Sequence, residues 1–245
     1  MKQYVANSLE DLCMYIQEIK LSEETTLWYR GHSDLLWDLV PSIQRNGIER
    51  KEQIITHSFY HSVSQVSDEN ISITYYDKWI TKMQHYGLPT RLLDWSYSPL
   101  IALYFATIIP YSEYKNDACI WILLPSKLNN SQGFGNYIYP IDSHTAIEMI
   151  KPAFTEVGEN IINDKILACF STNNDLRMYS QQAAFTVHNT TKKLIDFKDF
   201  LYKIIIPISK IEYFKSTIRA LGITEKFVFP DLEHIAKDIL NRYIT

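Results

Sequence analysis

The order of apolar and polar residues along the chain predicts a mixture of helices and strands. Apolar residues recur at helical spacing after Ser8, which predicts an amphipathic helix with Ser8 as its N-cap. Further helical patterns lie in Arg50 to Gln65, "YDKWITKMQHYG", "SKIEYFKSTIRALGI" and "PDLEHIAKDILNRYI". Strands are predicted in "TTLWYRG", "DACIWILLP", "QAAFTVHNT" and "LYKIIIPI". Since the two kinds of element do not alternate regularly, we expect an α+β fold: one domain over residues 1–245, with a mixed or antiparallel sheet.

One helix is predicted to be apolar on all of its sides. In "SYSPLIALYFATIIP", Ser98 stands where an N-cap belongs and Pro99 takes the first helical position, so the helix should start there and run to Pro110. A helix without a polar face is expected in the core. We therefore predict a buried central helix whose N-terminus, with its free N–H groups, suits an anion.

A dense group of hydrogen-bonding side chains comes directly before this helix. His85, Arg91 and Asp94 lie within "QHYGLPTRLLDWS", which we place in a loop between two helices. Ion pairing of Asp94 with Arg91 or Arg30 would explain the group as internal structure. Polar groups at this density near buried segments are costly when unpaired, and are usually kept where they bind something. We expect all three to converge with Arg30 on one pocket.

Composition narrows the class of ligand. The chain has 245 residues, 46% of them hydrophobic, and a formal net charge of −4. This charge gives no bulk attraction to nucleic acid or to an anionic membrane, so we expect a small phosphate-bearing partner instead. Three cysteines, an odd number among apolar neighbours, argue against disulfides and zinc. No run of eighteen apolar residues occurs, and we expect a cytoplasmic protein without a membrane span.

Several enzyme classes lack their motifs in this chain. A nucleophile elbow, a P-loop and a dinucleotide-binding glycine fingerprint are all missing, and the chain has only seven glycines. His57 and His61 stand four positions apart on a predicted helix, but the sequence offers no third metal ligand nearby. We therefore predict no metal site, no classical hydrolase and no ATPase.

Four stretches together resemble the FRG domain, a bacterial family named for its Phe/Tyr-Arg-Gly signature. They are "WYRGHSDLLWDLVPSIQR", "QHYGLPTRLLDWSYSPLIALYFA", "SQQAAFTVH" and "FVFPDLEHIAK". The signature here is Tyr29, Arg30 and Gly31, and the resemblance runs from about Leu27 to the C-terminus. Family members often carry a glycine shortly after the glutamine of the third stretch, where this chain has alanines. The resemblance implies a bacterial protein of the kind used as a defence effector or toxin.

The order of these motifs is also similar to that of NAD-using ADP-ribosyltransferases. That likeness implies an ADP-ribosyltransferase-like fold with NAD as cofactor and a protein as a candidate target. The catalytic residues it implies are Arg30, Thr90, Asp94, Gln181 and Gln182. The cofactor-binding residues it implies are Arg30, Gly31, His85, Arg91 and Ser98. Since glutamine cannot act as a general base, Asp94 or Asp175 would have to serve, or NAD would be bound without turnover.

A binding module without catalysis is the alternative. In that case the Arg, Asp and His side chains form a structural network, and the aromatic residues serve packing and an interface.

The stretch "NNSQGFGNYIYP" is predicted to be a loop, and two roles are open for it. It is either a mobile lid over the cleft of Arg30 and Thr90, with Phe134, Tyr137 and Tyr139 stacking on a ring, or a surface loop whose aromatics pack on the body.

Overall fold

A computed structural model describes residues 1–67, 71–156, 162–172 and 175–244. The described strands form one mixed sheet in the order β1-β8-β4-β2-β3-β7-β6-β5. They are β1 Lys2–Val5, β2 Trp28–His32, β3 Leu92–Ser96, β4 Ala118–Leu123, β5 Tyr139–Pro140, β6 Lys165–Phe170, β7 Ala183–Asn189 and β8 Leu201–Ile206. The pairs β1–β8 and β5–β6 are parallel and the others antiparallel. Because β1 pairs with β8, the sheet joins both ends of the chain.

The α-helices of the described residues cover the faces of this sheet. They are α1 Leu9–Glu23, α2 Ser42–Arg45, α3 Glu52–Val66, α4 Tyr76–His85, α5 Pro99–Ala106, α6 Pro125–Ser131, α7 His144–Ile150, α8 Leu176–Ser180, α9 Ile211–Ala220, α10 Glu225–Val228 and α11 Leu232–Ile244. The predicted helices and strands are all present within a few residues of their predicted bounds. The α+β class with a mixed sheet is therefore confirmed.

Helix α5 is the predicted buried central helix. The Ser98 hydroxyl accepts a hydrogen bond from the Ile101 N–H at 3.4 Å, and Pro99 opens the helix as expected. Ala102, Leu103 and Ala106 are buried in the cluster that joins α5 to the sheet. The helix ends at Ala106, four residues before Pro110. Side-chain hydroxyls end it early, because Thr107 Oγ1 donates to Leu103 O (2.9 Å) and Tyr114 OH donates to Ala106 O (2.8 Å).

Gly31 allows α5 to lie directly on β2. A Cβ atom at this position would stand 1.8 Å from Ala102 O and 2.6 Å from Ala106 N, both main-chain atoms of α5. Neither atom can move without moving the helix. Any side chain at residue 31 would therefore push the central helix off the sheet.

The stretch before α5 is a strand, and its placement in a helix-to-helix loop was wrong. Leu92–Ser96 form β3, which pairs with β7 at all five of its residues. Leu92, Leu93 and Trp95 are buried because helices or side chains cover both faces of the sheet here. A run buried on both faces does not show the alternation expected of a half-exposed strand. The preceding loop is therefore confined to residues 86–91.

The two central strands separate after a single pair. Tyr29 of β2 is paired with Ser96 of β3, and no further residue pair joins these strands. On its other side β2 pairs with β4 over five residues, so β2 itself remains regular. The sheet is thus split between β2 and β3, with Arg30 at the split.

Candidate functional site

A cavity of about 320 Å³ lies where β2 and β3 separate. Its walls come from β2, β3, α5, α8 and the start of β7. Its polar lining includes Arg30, His32, Arg45, Gln84, His85, Asp94, Ser96, Arg177 and Gln181. Apolar and aromatic side chains, Trp37, Phe105, Met178 and Phe185 among them, complete it. A concave site of this size, mostly apolar with a few convergent polar groups, is typical of small-molecule binding.

Arg30 bridges the split in the sheet. Its Nη1 donates to the main-chain oxygen of Asp94 at 2.7 Å, and its Nε donates to His32 Nε2 at 3.1 Å. The Asp94 carboxylate is 3.9 Å from Nη1, too far for a hydrogen bond. Burial lowers the pKa of Arg30 to about 10, so the guanidinium stays charged at neutral pH. Arg30 is therefore a fixed cation that keeps unused N–H groups beside the cavity.

His32 is a neutral imidazole held among cations. Its Nε2 faces Arg30, and its Nδ1 lies 3.3 Å from the indole N–H of Trp121. Burial, and then the charges of Arg30, Arg45 and Lys203, lower the pKa of His32 to about 2. An imidazolium would place N–H groups against the N–H groups of Arg30 and Trp121. The neutral ring accepts at one nitrogen and carries its proton on the other, so only one of these two contacts is a hydrogen bond to His32, and a second proton would remove that one as well.

The end of the cavity at Arg30 and Arg45 is positively charged although the whole chain is acidic, and Arg45 is exposed there. Arg30 and Arg45 both line the cavity, and Lys203 is close enough to His32 to lower its pKa. In the part of the chain that the structure describes, the Arg45 guanidinium has no acidic partner, and Asp94 is the one carboxylate lining the cavity. An excess of cations in a partly enclosed site attracts anions.

Asp94 is held at the split by a short chain of polar side chains. Gln84 Nε2 donates to Asp94 Oδ2 at 2.7 Å. Thr90 Oγ1 donates to Gln84 Oε1 at 2.5 Å, and itself accepts from the Leu92 N–H at 3.1 Å. Thr90 is fully buried and does not line the cavity. Its expected place as a second catalytic residue was therefore wrong, because its hydroxyl is used inside the fold.

Ser96 occupies the position for which Thr90 was expected. It is the last residue of β3 and lines the cavity, with its hydroxyl donating to Gln181 O at 2.6 Å. The same hydroxyl accepts from the Ser98 N–H at 2.9 Å, just ahead of α5. Ser98 itself is used as the N-cap and does not line the cavity. The expectation that Ser98 binds the cofactor directly was wrong for this reason.

Of the two candidate glutamines, Gln181 faces the cavity. Its Nε2 donates to Val228 O at 3.1 Å, which leaves its side-chain oxygen unused among the described residues. Gln182 is exposed, does not line the cavity and adopts a left-handed backbone with φ of 48°. The assignment of Gln182 to the site was therefore wrong, because the turn before β7 directs its side chain to solvent.

Arg91 does not join the cavity, contrary to the expected convergence. Its guanidinium binds Glu52 through Nε at 3.1 Å and Nη2 at 2.5 Å. Its Nη1 donates to Met149 O at 3.1 Å and to Asn189 Oδ1 at 3.0 Å. Arg91 is buried, and all three of its guanidinium nitrogens donate within this network. Its role is to tie α3 and α7 to the sheet, and three of the four expected side chains remain at the cavity.

His85 stands at the cavity wall beside Asp175. The two residues approach to 3.1 Å between His85 Nδ1 and Asp175 Oδ2, at an angle outside that of a hydrogen bond. Asp175 caps α8 by accepting from the N–H groups of Arg177 and Met178, and it does not line the cavity. Arg177 Nη1 donates to His85 O at 3.0 Å. Asp175 therefore stabilises the wall and offers the cavity no base.

The sequence does not mark several of the lining residues as part of a site, among them His32, Trp37, Arg45, Ser96 and Arg177. Ser96 could have been found, because the serine before the N-cap in "SYS" stands at the strand-to-helix junction. His32 follows the Arg-Gly signature directly and alternates with Arg30 along β2. No sequence pattern marks Arg45 or Arg177, since tertiary folding alone brings α2 and α8 to the cavity.

The loop of "NNSQGFGNYIYP" lies away from the cavity. None of residues 129–139 lines it. Asn129 is buried and donates to Tyr137 O and Ala168 O, both at 2.9 Å, which ties the loop to β6. Lys165 lies over the Phe134 ring at 5.4 Å. The structure therefore does not place this stretch over the cavity as the lid prediction requires; Phe134 and Tyr139 pack on the body of the protein, and Tyr137 is exposed.

The described residues form neither a metal-binding cluster nor a helix that could span a membrane. No group of three or more His, Cys, Asp or Glu side chains stands close enough to hold a metal ion. Among the helices described, none combines the length and the apolar character needed to cross a membrane.

Part of the chain is similar to a known protein family. Residues 25–115 match the family model of the FRG domain. No curated protein and no solved structure matches the chain. The matched residues include the Tyr29-Arg30-Gly31 signature, β3 and α5, and most of the residues lining the cavity. Residues 25–115 are therefore similar to the FRG domain, and Arg30 and Asp94 both lie within the matched stretch.

Proposed function

We propose that the cavity binds NAD and that the protein is an ADP-ribosyltransferase-like effector. The observation that carries the proposal is the placing of Arg30. It is a charged guanidinium with unused donors, set in the split of the sheet beside a cavity with aromatic walls. A forked guanidinium binds phosphate oxygens in pairs, and flat rings pack on aromatic side chains. NAD offers both kinds of group.

The diphosphate of NAD would lie at the cationic end. Arg30 and Arg45 line this end and supply its positive charge, and the neutral His32 beside them adds none. Two guanidinium groups without a full set of acidic partners match the two charges of a diphosphate. The net charge of −4 makes this end the exception on an otherwise acidic protein, which favours a small anion over a polyanion.

An aromatic ring of the ligand would lie against the apolar walls. Trp37 and Phe105 line the cavity from one side, and Phe185 and Met178 from another. These residues give a base or a nicotinamide ring flat contacts. The cavity volume of about 320 Å³ lies at the lower end of the usual range for ligand sites. It suits one half of a dinucleotide, with the other half extending through the opening.

The transfer itself would require little base catalysis. The bond between the ribose C1′ and the nicotinamide nitrogen breaks, the ring nitrogen keeps the bonding electrons, and an acceptor atom on a protein target then bonds to C1′ and loses its proton. The intervening oxocarbenium-like state is stabilised by fixed negative groups. Asp94 and the free oxygen of Gln181 are the groups in the described cavity that could face it.

The FRG resemblance supports a place for this activity in bacterial defence. Effectors of that kind act inside the cell on NAD or on a cellular protein. We accordingly propose a protein acceptor and toxicity on expression that depends on Arg30. Loss of toxicity in Arg30→Ala, at an equal amount of protein, supports the effector role; unchanged toxicity contradicts it.

Calorimetric titration with NAD tests the proposal. We expect Arg30→Ala to weaken NAD binding at least tenfold, because charge-assisted bonds to phosphate are lost. Arg30→Lys should recover only part of the affinity, since an ammonium cannot present two parallel donors. Arg219→Ala, on the exposed side of α9, is the matched control and should bind as the unaltered protein does. Absence of NAD binding by the unaltered protein would overturn the proposal.

A binding module without turnover is the second candidate function. It is favoured by the use of Gln181 at the position where transferases carry a carboxylate, since an amide cannot take a proton. Incubation with NAD separates the candidates. Release of nicotinamide that is lost in Arg30→Ala identifies an enzyme. Binding without release identifies a module.

A further inference from the structure

The polar chain behind Asp94 fixes the direction of every hydrogen bond in it. The Leu92 N–H can only donate, so it occupies an acceptor position on Thr90 Oγ1 (3.1 Å). The Thr90 hydroxyl proton then points to Gln84 Oε1 (2.5 Å). This orients the Gln84 amide so that its N–H₂ group points to Asp94 Oδ2 (2.7 Å). The chain of hydrogen bonds from a main-chain N–H thus makes Oδ2 of Asp94 an acceptor.

The chain uses one carboxylate oxygen and leaves the other unused. Among the described residues, Oδ1 of Asp94 has no hydrogen-bond partner, and Asp94 lines the cavity. Arg30 forms a long ion pair with this carboxylate, 3.9 Å between Nη1 and Oδ2, but no hydrogen bond to it, because Nη1 donates to the main-chain oxygen of Asp94. A free anionic acceptor and a free cationic donor therefore lie next to each other without forming the bidentate pair that Arg and Asp usually prefer.

We infer that Asp94 accepts hydrogen bonds from sugar hydroxyl groups of the ligand, and that Thr90 and Gln84 position it for this. The inference rests on the proposed function and names the ligand class of the same site: a phosphorylated sugar with free hydroxyls, such as the ribose phosphate of a nucleotide. The phosphate lies against Arg30, and an adjoining hydroxyl donates to Asp94. A ligand with an anion but no hydroxyl donor uses only half of the site.

Each member of the chain has a distinct role. Asp94 contacts the ligand, while Gln84 and Thr90 are positioning residues that act through it. Thr90 is fully buried, so its effect on binding cannot come from direct contact. Serine at position 90 keeps the hydroxyl and the polarity of the chain. Valine keeps the shape but removes the donor to Gln84, which frees the Gln84 amide to turn.

The test compares two probes, ADP-ribose and inorganic pyrophosphate, by calorimetric titration. We expect Asp94→Asn to weaken ADP-ribose binding at least tenfold. Pyrophosphate binding should be unchanged or tighter, because a negative charge is removed from beside the phosphate site. Thr90→Val should weaken ADP-ribose in the same direction by a smaller factor, and Thr90→Ser should restore it. Asp199→Asn, an exposed aspartate outside the cavity, is the charge-matched control and should change neither affinity.

The outcomes separate this inference from the proposed function. If Asp94→Asn binds ADP-ribose as the unaltered protein does, the inference is overturned, whether or not NAD is a ligand. If Thr90→Val weakens both probes equally, its role is structural and the positioning part is overturned. If ADP-ribose shows the expected pattern while NAD does not bind, the inference holds and the NAD proposal fails. If the unaltered protein binds neither probe, both are overturned. Thermal unfolding of each variant identifies loss of fold.

Discussion

Each residue of the Tyr29-Arg30-Gly31 signature has a different role in the structure. Tyr29 is buried in the core beneath α5, and burial raises its pKa to about 12. Arg30 points to the opposite face of β2 and spans the split to Asp94. Gly31 returns to the face of Tyr29 and lets α5 touch the sheet. Alternation along a strand therefore gives the signature two structural positions and, between them, one side chain free to bind.

Replacing Gly31 by alanine should destabilise the fold strongly. The new Cβ would lie 1.8 Å from Ala102 O, and only a shift of α5 or β2 relieves this overlap. Overpacking of a tight core costs about 1 to 3 kcal/mol, and we expect the loss in the free energy of unfolding at or above the upper end of that range. Chemical denaturation measures it.

Gly47→Ala is the matched control for this substitution. Gly47 has a φ of 62° and nothing within 4 Å of its added Cβ, so its cost is conformational only. That cost is about 1 to 2 kcal/mol for an L-residue in the left-handed region. Equal losses in the two variants would show that α5 can move away from Gly31, which contradicts the close packing of α5 on β2.

At the scale of single residues, the sequence predicts which types of side chain the site uses better than it predicts which residues line the cavity. Arg30 and Asp94 were recognised by residue type beside apolar runs, and both line the cavity. Arg91 is of the same type, only three positions from Asp94, and faces Glu52 instead. Nothing local distinguishes these cases. Glu52 lies 39 positions away from Arg91, and only tertiary structure makes it the partner.

At the scale of elements, α5 is the piece on which the site is built. It packs on β2 and β3, its N-terminus adjoins Ser96, and Phe105 near its end forms a wall of the cavity. Its bounds could be predicted because Ser98 and Pro99 specify a helix start by local chemistry. Its last turn could not be predicted, since Tyr114 ends it from eight residues further on.

Leu103→Ala should destabilise the protein without altering the chemistry of the site. Leu103 is fully buried in the cluster around α5 and does not line the cavity. Large-to-small changes of this kind cost about 2 to 5 kcal/mol in the free energy of unfolding. Chemical denaturation should show this loss, with unchanged affinity for NAD in the folded fraction. Leu21→Ala, at an exposed position of α1, is the control and should stay within about 0.5 kcal/mol.

Strand β3 shows why the elements around a site are the hardest to predict. The stretch "LLDWS" contains a charged residue within an apolar run, and this interruption led to the prediction of a loop. In the structure Asp94 sits where β2 has left β3, so its side chain meets a cavity in place of a neighbouring strand. The charged Asp94 within an apolar run thus both obscured the strand in the sequence and contributes to the site in the structure.

At the scale of the whole molecule, the protein keeps two histidines uncharged in its interior. Burial and the nearby positive charges of Arg30 and Arg91 lower the pKa of His188 to about 3. Burial and three nearby cations lower that of His32 to about 2. Both lie on the same face of the sheet as Arg30. The cations that make the cavity positive therefore also help to keep His32 and His188 unprotonated in the folded state.

The lowered pKa values of these two histidines predict that the free energy of unfolding falls as the pH is lowered. An unfolded histidine has a pKa of about 6.5, so below that pH the unfolded chain binds protons at these positions while the folded chain does not. The free energy of unfolding is then independent of these residues above about pH 7. It falls as the pH drops from 6.5 toward 3, by up to about 1.4 kcal/mol per pH unit for each histidine.

Denaturation between pH 5 and 6.5 measures the slope where most carboxylates are still ionised. We expect His188→Gln to make that slope shallower by about one proton, because glutamine does not titrate, whereas His144→Gln, at an exposed position, should leave it unchanged. An unchanged slope in His188→Gln would mean that His188 is charged in the folded protein, and that the field of Arg30 and Arg91 does not reach it.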